Sequence, residues 1–188
     1  NLIVAHHPIV FKGLKKINGK NYVEKTIIAA IKNDIAIYAI HTNLDNVKQG
    51  VNGRIAQMLR LENCKMLSEK EGTLKKLFTF APIDKAEDIR NAIFDSGGGY
   101  ISNYSECSFN TEGVGTFKGG NGTKPFVGEP GKQHQEKETK IEVIFPAHLE
   151  RKILAALIGA HPYEEVAYDI VQLANSNQAI GSGMIGEL

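Results

Sequence analysis

The chain has almost no net charge. Its 22 Lys and Arg residues balance 21 Asp and Glu to +1 at pH 7. The positive field that nucleic-acid binding needs is therefore missing, and no polyanion partner is expected. Cysteine is scarce: Cys64 and Cys107 lie far apart and outside any CxxC pair. That argues against a disulfide framework or a structural zinc knot and fits a reducing, cytoplasmic compartment. No apolar run approaches the ~20 residues of a membrane-spanning helix, and no signal peptide is visible, so no membrane association is expected. Repeats, a Ser nucleophile elbow and a P-loop are also lacking. What is present is an ordinary globular composition over 188 residues, enough for one sizeable domain or two small ones.

Two short motifs carry most of the information, Ala5-His6-His7-Pro8 and His41-Thr42-Asn43-Leu44-Asp45. Each follows an apolar, β-branched run, Leu2–Ala5 and Ile35–Ile40, which reads as a buried strand. Between them, Val23, Ile27 and Ile31 fall on one face of a helix over Tyr22–Lys32. Strand, helix, strand is a βαβ unit with parallel strands, so both motifs emerge at one carboxyl edge, where open α/β sheets place ligands.

Imidazoles and a carboxylate at such an edge suit zinc, iron, manganese or cobalt. Adjacent histidines on a regular strand point apart. At a strand end turned by Pro8 they could serve two ions, bridged by a carboxylate such as Asp45. Paired ions about 3.5–4 Å apart polarise a substrate oxygen and acidify bound water. His41 could be a ligand, an orienting group or a proton shuttle. Plainer readings stand beside these: a surface His-His pair, and a strand-to-helix turn with Asp45 as a cap.

The organisation changes after about residue 71. Leu74–Ala81 reads as a strand, and Asp84-Lys85-Ala86-Glu87 as a capping box opening a helix to Asp95. Gly97-Gly98-Gly99 ends that helix. Tyr100–Phe109 and Gly113–Phe117 read as a strand pair, and residues 118–137 as a long exposed loop. A strand over Lys140–Phe145, a helix marked by Leu149, Ile153 and Leu157, and a strand over Glu165–Leu173 follow. This β-α-β-β-α-β order is the ferredoxin-like one. The expected organisation is a core over residues 1–71, an inserted domain over 72–176, and a return to the core over 177–188. The chain starts at Asn1 inside a strand and ends at Met184–Leu188, which reads as the start of another. A fragment of a longer protein is the expectation.

Other candidates are weaker. Gly181-Ser182-Gly183-Met184-Ile185-Gly186 matches G-x-G-x-x-G formally but lacks a following helix, so a tight turn is the plainer reading. His161-Pro162-Tyr163-Glu164-Glu165 could bind a cation or small ligand, or merely shape a helix-to-strand turn. Lys12, Lys15, Lys16 and Lys20 could attract an anionic substrate or form a solvated loop.

The motifs Ala5-His6-His7-Pro8, His41–Asp45 and Gly50-Val51-Asn52 resemble the signature of the Nif-three-like dinuclear-metal family, whose members are often called GTP cyclohydrolase I type 2 homologues. Gly97–Tyr100, Tyr104–Phe109, Gly113–Phe117 and His161–Glu165 resemble the inserted domain of its longer bacterial members, which is similar to PII-like and CutA-like folds. The resemblance implies an α/β core, the parallel βαβ start of a mixed sheet, carrying a ferredoxin-like α+β insert. It implies two divalent ions per subunit, zinc first with iron or manganese as alternatives, and a toroidal homohexamer. His6, His7 and Asp45 become metal ligands and His41 the catalytic position. The family completes this site with a His and a Glu near its C-terminus, a segment this chain lacks. The function implied is metal-dependent hydrolysis of a nucleotide or related compound. The alternatives are a metal-binding regulatory or metal-handling protein whose insert senses a ligand or partner, and an interaction scaffold with a vestigial site.

Overall fold

The computed structural model describes residues 1–188. The chain forms two compact units, one of residues 1–69 with 178–188, the other of residues 70–177. The first unit begins with strand β1 (Leu2–Ala5), helix α1 (Tyr22–Lys32) and strand β2 (Ala36–Ala39). β1 and β2 are parallel, with Leu2 opposite Ala36 and Ala5 opposite Ala39. α1 is fixed by its own N-terminus. The Asn21 side chain accepts from the Glu24 amide at 2.9 Å, and the Glu24 carboxylate accepts from the Asn18 and Lys20 amides and from Asn21 Nδ2. Those amide donors hold the Glu24 carboxyl below the usual carboxylate range. Helix α2 is the single turn Thr42–Asp45, α3 runs Val51–Met58, and β3 runs Glu62–Glu69.

The second unit contains β4 (Leu74–Pro82), α4 (Ala86–Asp95), β5 (Phe109–Lys118), β6 (Gln133–Pro146), α5 (Glu150–Ala160) and β7 (Tyr168–Gln172). Its four strands form one antiparallel sheet in the order β5-β6-β4-β7. Alternation drives the burial. Leu77, Thr79 and Ala81 on β4 and Ile141, Val143 and Phe145 on β6 turn to one face. Ile89 and Ile93 of α4 and Ile153 and Leu157 of α5, each pair at i, i+4, cover that face and complete the core. On β4 and β6, Lys76 and Lys140 each meet Glu142 at 2.8 Å, and both ammonium groups lie over the Phe78 ring.

Strand β8 (Gly181–Glu187) belongs to the first unit and pairs antiparallel with β3. Gly181 is required there, because a Cβ would overlap the Ser68 backbone. The G-x-G-x-x-G match thus lies inside a strand and opens no helix.

Four expectations need correction. β1 and β2 are strands, but they are not buried: Leu2, Ile3 and Val4 are 50–62% exposed. A two-stranded sheet with one helix cannot enclose both its faces, and the buried hydrophobic residues of this unit are only Ala56 and Met66. Residues 100–108 do not form a strand paired with β5. Gly97 and Gly99 take positive φ, and the chain loops back so that the Cys107 amide donates to Gly99 O. β5 pairs with β6 instead, and β6 starts at Gln133, inside the supposed loop. Finally, Asp84 caps nothing: it sits in a short 3-10 turn, Ile83–Lys85, and α4 has no side-chain N-cap.

Candidate functional site

The parallel ladder continues past the strands. The Ile40 amide donates to Ala5 O and the His41 amide to His6 O, both at 2.9 Å. His6 and His41 are thereby tied backbone to backbone at the carboxyl ends of β1 and β2. His6 and His7 lie in a bend, beyond the last regular residue of β1, so strand alternation no longer separates their rings. The ring centroids are 4.7 Å apart for His6 and His7, 5.7 Å for His6 and His41, and 5.6 Å for His7 and His41. The Phe11 ring meets His41 edge-on.

His41 has φ 38° and ψ −130°, a conformation that costs a non-glycine residue about 1–3 kcal/mol. It stands at the N-cap of α2, yet its side chain caps nothing. The strained backbone instead turns the imidazole to the other two rings. Asp45 ends α2 and is half-buried; its carbonyl accepts from Asn52 Nδ2 at 2.8 Å. The three imidazoles and the Asp45 carboxylate engage no hydrogen-bonding or charged partner within the chain.

In kind, this donor set fits zinc, iron or manganese. Its arrangement does not close around an ion: no group of three or more His, Cys, Asp or Glu side chains is positioned to hold one. The rings are inclined at 57–82° to one another. The structure therefore gathers His6, His7 and His41 and does not assemble them with Asp45 into a closed coordination shell.

The remaining candidates separate clearly. Lys12, Lys15, Lys16 and Lys20 are all exposed. Cys64 and Cys107 are free and half-buried, each in weak contact with nearby backbone carbonyls, as packed thiols are. His134 pairs with Glu136 at 2.9 Å, and His148 lies in the short turn before α5.

His161 does shape the turn after α5. It is 7% exposed, its Nε2–H donates to Phe80 O at 2.9 Å, and its Nδ1 accepts from the Tyr163 amide at 3.1 Å. Burial pushes its pKa below the ordinary 6.5, so the ring is held neutral in one tautomer. The turn presents the Tyr163 hydroxyl to Glu138, donating to Oε1 at 2.9 Å. Burial and that carboxylate push the phenol well above its ordinary value. Sequence reasoning missed Glu138. It lies 25 residues from Tyr163 and comes near because β6 pairs with β4, with Glu138 opposite Pro82, while His161 ties the Tyr163 turn to Phe80 of β4.

The curated relatives are similar over the whole chain. A GTP cyclohydrolase 1 type 2 homolog of Halalkalibacterium halodurans is 44% identical over 188 residues, 100% of this chain and 50% of that protein. A protein of the same name from Bacillus subtilis is 41% identical over 189 residues, 100% of this chain and 51% of that protein. A Bacillus cereus protein related to NIF3 superposes with a TM-score of 0.77 at 45% identity, covering 99% of this chain and 49% of that one. The chain thus spans about half the length of the relatives it matches. The family model for Duf34/NIF3 (NGG1p interacting factor 3) matches residues 1–188, and the chain belongs to that family.

Proposed function

We propose that this chain is part of a dinuclear metal-binding protein acting as a metal-dependent hydrolase on a nucleotide or related compound. The observation that carries the reading is the cluster of three unpartnered imidazoles at the carboxyl edge of a parallel strand pair, one of them on a strained backbone. The name of the H. halodurans and B. subtilis relatives supports the nucleotide part. His6, His7 and Asp45 would hold the ions, zinc first, with iron or manganese as alternatives. Such ions, when bound, polarise a substrate oxygen and acidify a water. His41, free of any capping bond, would move the proton. Residues 72–176 would serve as a PII- or CutA-like insert, and the protein would assemble as a toroidal homohexamer.

The test is release of product from GTP and a panel of nucleotides by the metal-loaded protein, with and without chelator. Chelator-sensitive turnover supports the proposal. Stoichiometric metal without turnover on any nucleotide sinks the hydrolase reading and leaves metal binding for regulation or metal handling. Light scattering tests the hexamer.

A further inference from the structure

The second unit holds a cavity of about 430 Å³ that no step above uses. That volume lies within the ~300–1,000 Å³ typical of small-molecule sites. Its walls are the end of β5, the loop after it, Phe80 of β4, Glu138 of β6 and the turn Tyr163–Glu165. Four aromatic residues line it, Phe80, Phe117, Phe126 and Tyr163, with the Phe117 and Phe126 centroids 6.5 and 6.1 Å from that of Tyr163.

Its anionic groups are three carboxylates, set among the polar side chains Thr116, Lys118, Thr123 and Tyr163. Glu138 spends one oxygen on the Tyr163 hydroxyl, leaving Oε2 without a donor. Gly115 makes room for this carboxylate, since a Cβ there would overlap it. Glu164 accepts from the Lys124 amide at 3.0 and 3.2 Å, which ties the loop to the turn. Glu165 lies beside it, and the cationic side chain among the lining residues is Lys118. His161, clamped between Phe80 and Tyr163, fixes the turn that carries Tyr163.

Aromatic faces and surplus carboxylates attract the same class of ligand. The ring quadrupole presents its negative face to a cation, and the carboxylates supply a hydrogen-bonding counter-charge. A phosphate would meet the same groups as repulsion. We propose that this cavity binds a small organic cation, an amidinium or ammonium group on a compact apolar body, with Glu138 as its counter-ion and Phe117, Phe126 and Tyr163 as its walls. The His161–Glu165 turn then acts both as a structural corner and as part of a ligand site. This inference is independent of the metal site.

The test uses two probes of nearly equal shape, benzamidinium and neutral benzamide, titrated calorimetrically into the full chain. The site should bind benzamidinium roughly tenfold or more tightly than benzamide. Glu138→Gln keeps an acceptor for Tyr163 and should remove most of that preference with little change for benzamide. Phe126 is 50% exposed, so Phe126→Ala leaves the core intact and should weaken both probes. Far-UV circular dichroism checks that each variant is folded. Equal affinity for the two probes, no binding of benzamidinium to the wild type, a preference untouched by Glu138→Gln, or binding of both probes untouched by Phe126→Ala would overturn the proposal.

Discussion

Replacing His161 should expose how much of the second unit hangs on one neutral imidazole. His161→Ala leaves Phe80 O and the Tyr163 amide without their partners at a position only 7% exposed. Each buried group left unsatisfied costs about 1–3 kcal/mol. Water entering the void offsets part of that, so a loss of about 2–4 kcal/mol is expected. His161→Gln can still donate to Phe80 O and should recover roughly half. The pH dependence gives a second, independent readout. The folded pKa is depressed, so the unfolded chain binds the proton more readily. The wild type should be fully stable above the ordinary 6.5 and lose stability as pH falls below it, with a slope of at most about 1.4 kcal/mol per pH unit for one proton. In His161→Ala that part of the slope should vanish, leaving only acid sensitivity at lower pH from carboxylates such as Glu142, held low by Lys140 and Lys76. Amide exchange at Thr79 and Ile141, in the centre of the sheet, reports this unit directly. A cost under about 0.5 kcal/mol, or an unchanged slope between pH 5 and 7, would refute the reasoning.

Two further substitutions probe each unit separately. Ile93→Ala removes a side chain that is 0% exposed between α4 and the sheet, and should cost about 2–5 kcal/mol in denaturant unfolding. Gly181→Ala forces a methyl group onto the Ser68 backbone, so amide protection in β3 and β8 should fall while that of β4 and β6 stays unchanged.

Periodic segments were legible from sequence because local and tertiary preferences agree there. α1 begins and ends where Asn21 and Asn33 cap it, and Ile153 and Leu157 mark the face α5 buries. β1 and β2 were legible as parallel strands, but their burial was not, because burial depends on what covers a strand rather than on the strand itself. Residues 133–137 read as loop since they are polar, yet they open β6 and pair along β5. Tyr100 and Ile101 look β-prone, but the preceding glycines redirect the chain. At the candidate site, the joint placement of His6 and His41 followed from the βαβ reading. The gathering of His7 with them followed from ending the strand before Pro8, where the bend after Ala5 frees the rings from strand alternation. The Tyr163–Glu138 contact needed the β4–β6 register, which no local pattern encodes.

The most direct test is metal content. The full-length protein that carries this chain, with the His and Glu that the family resemblance adds to the site, is incubated with zinc, iron or manganese, desalted and analysed for bound metal beside its His6→Ala and Asp45→Ala variants. The account predicts about two ions per chain in the wild type, with marked loss in both variants and unchanged amide protection in the second unit. Equal metal in all three proteins, or none in the wild type, would contradict it and return the histidines to a structural role.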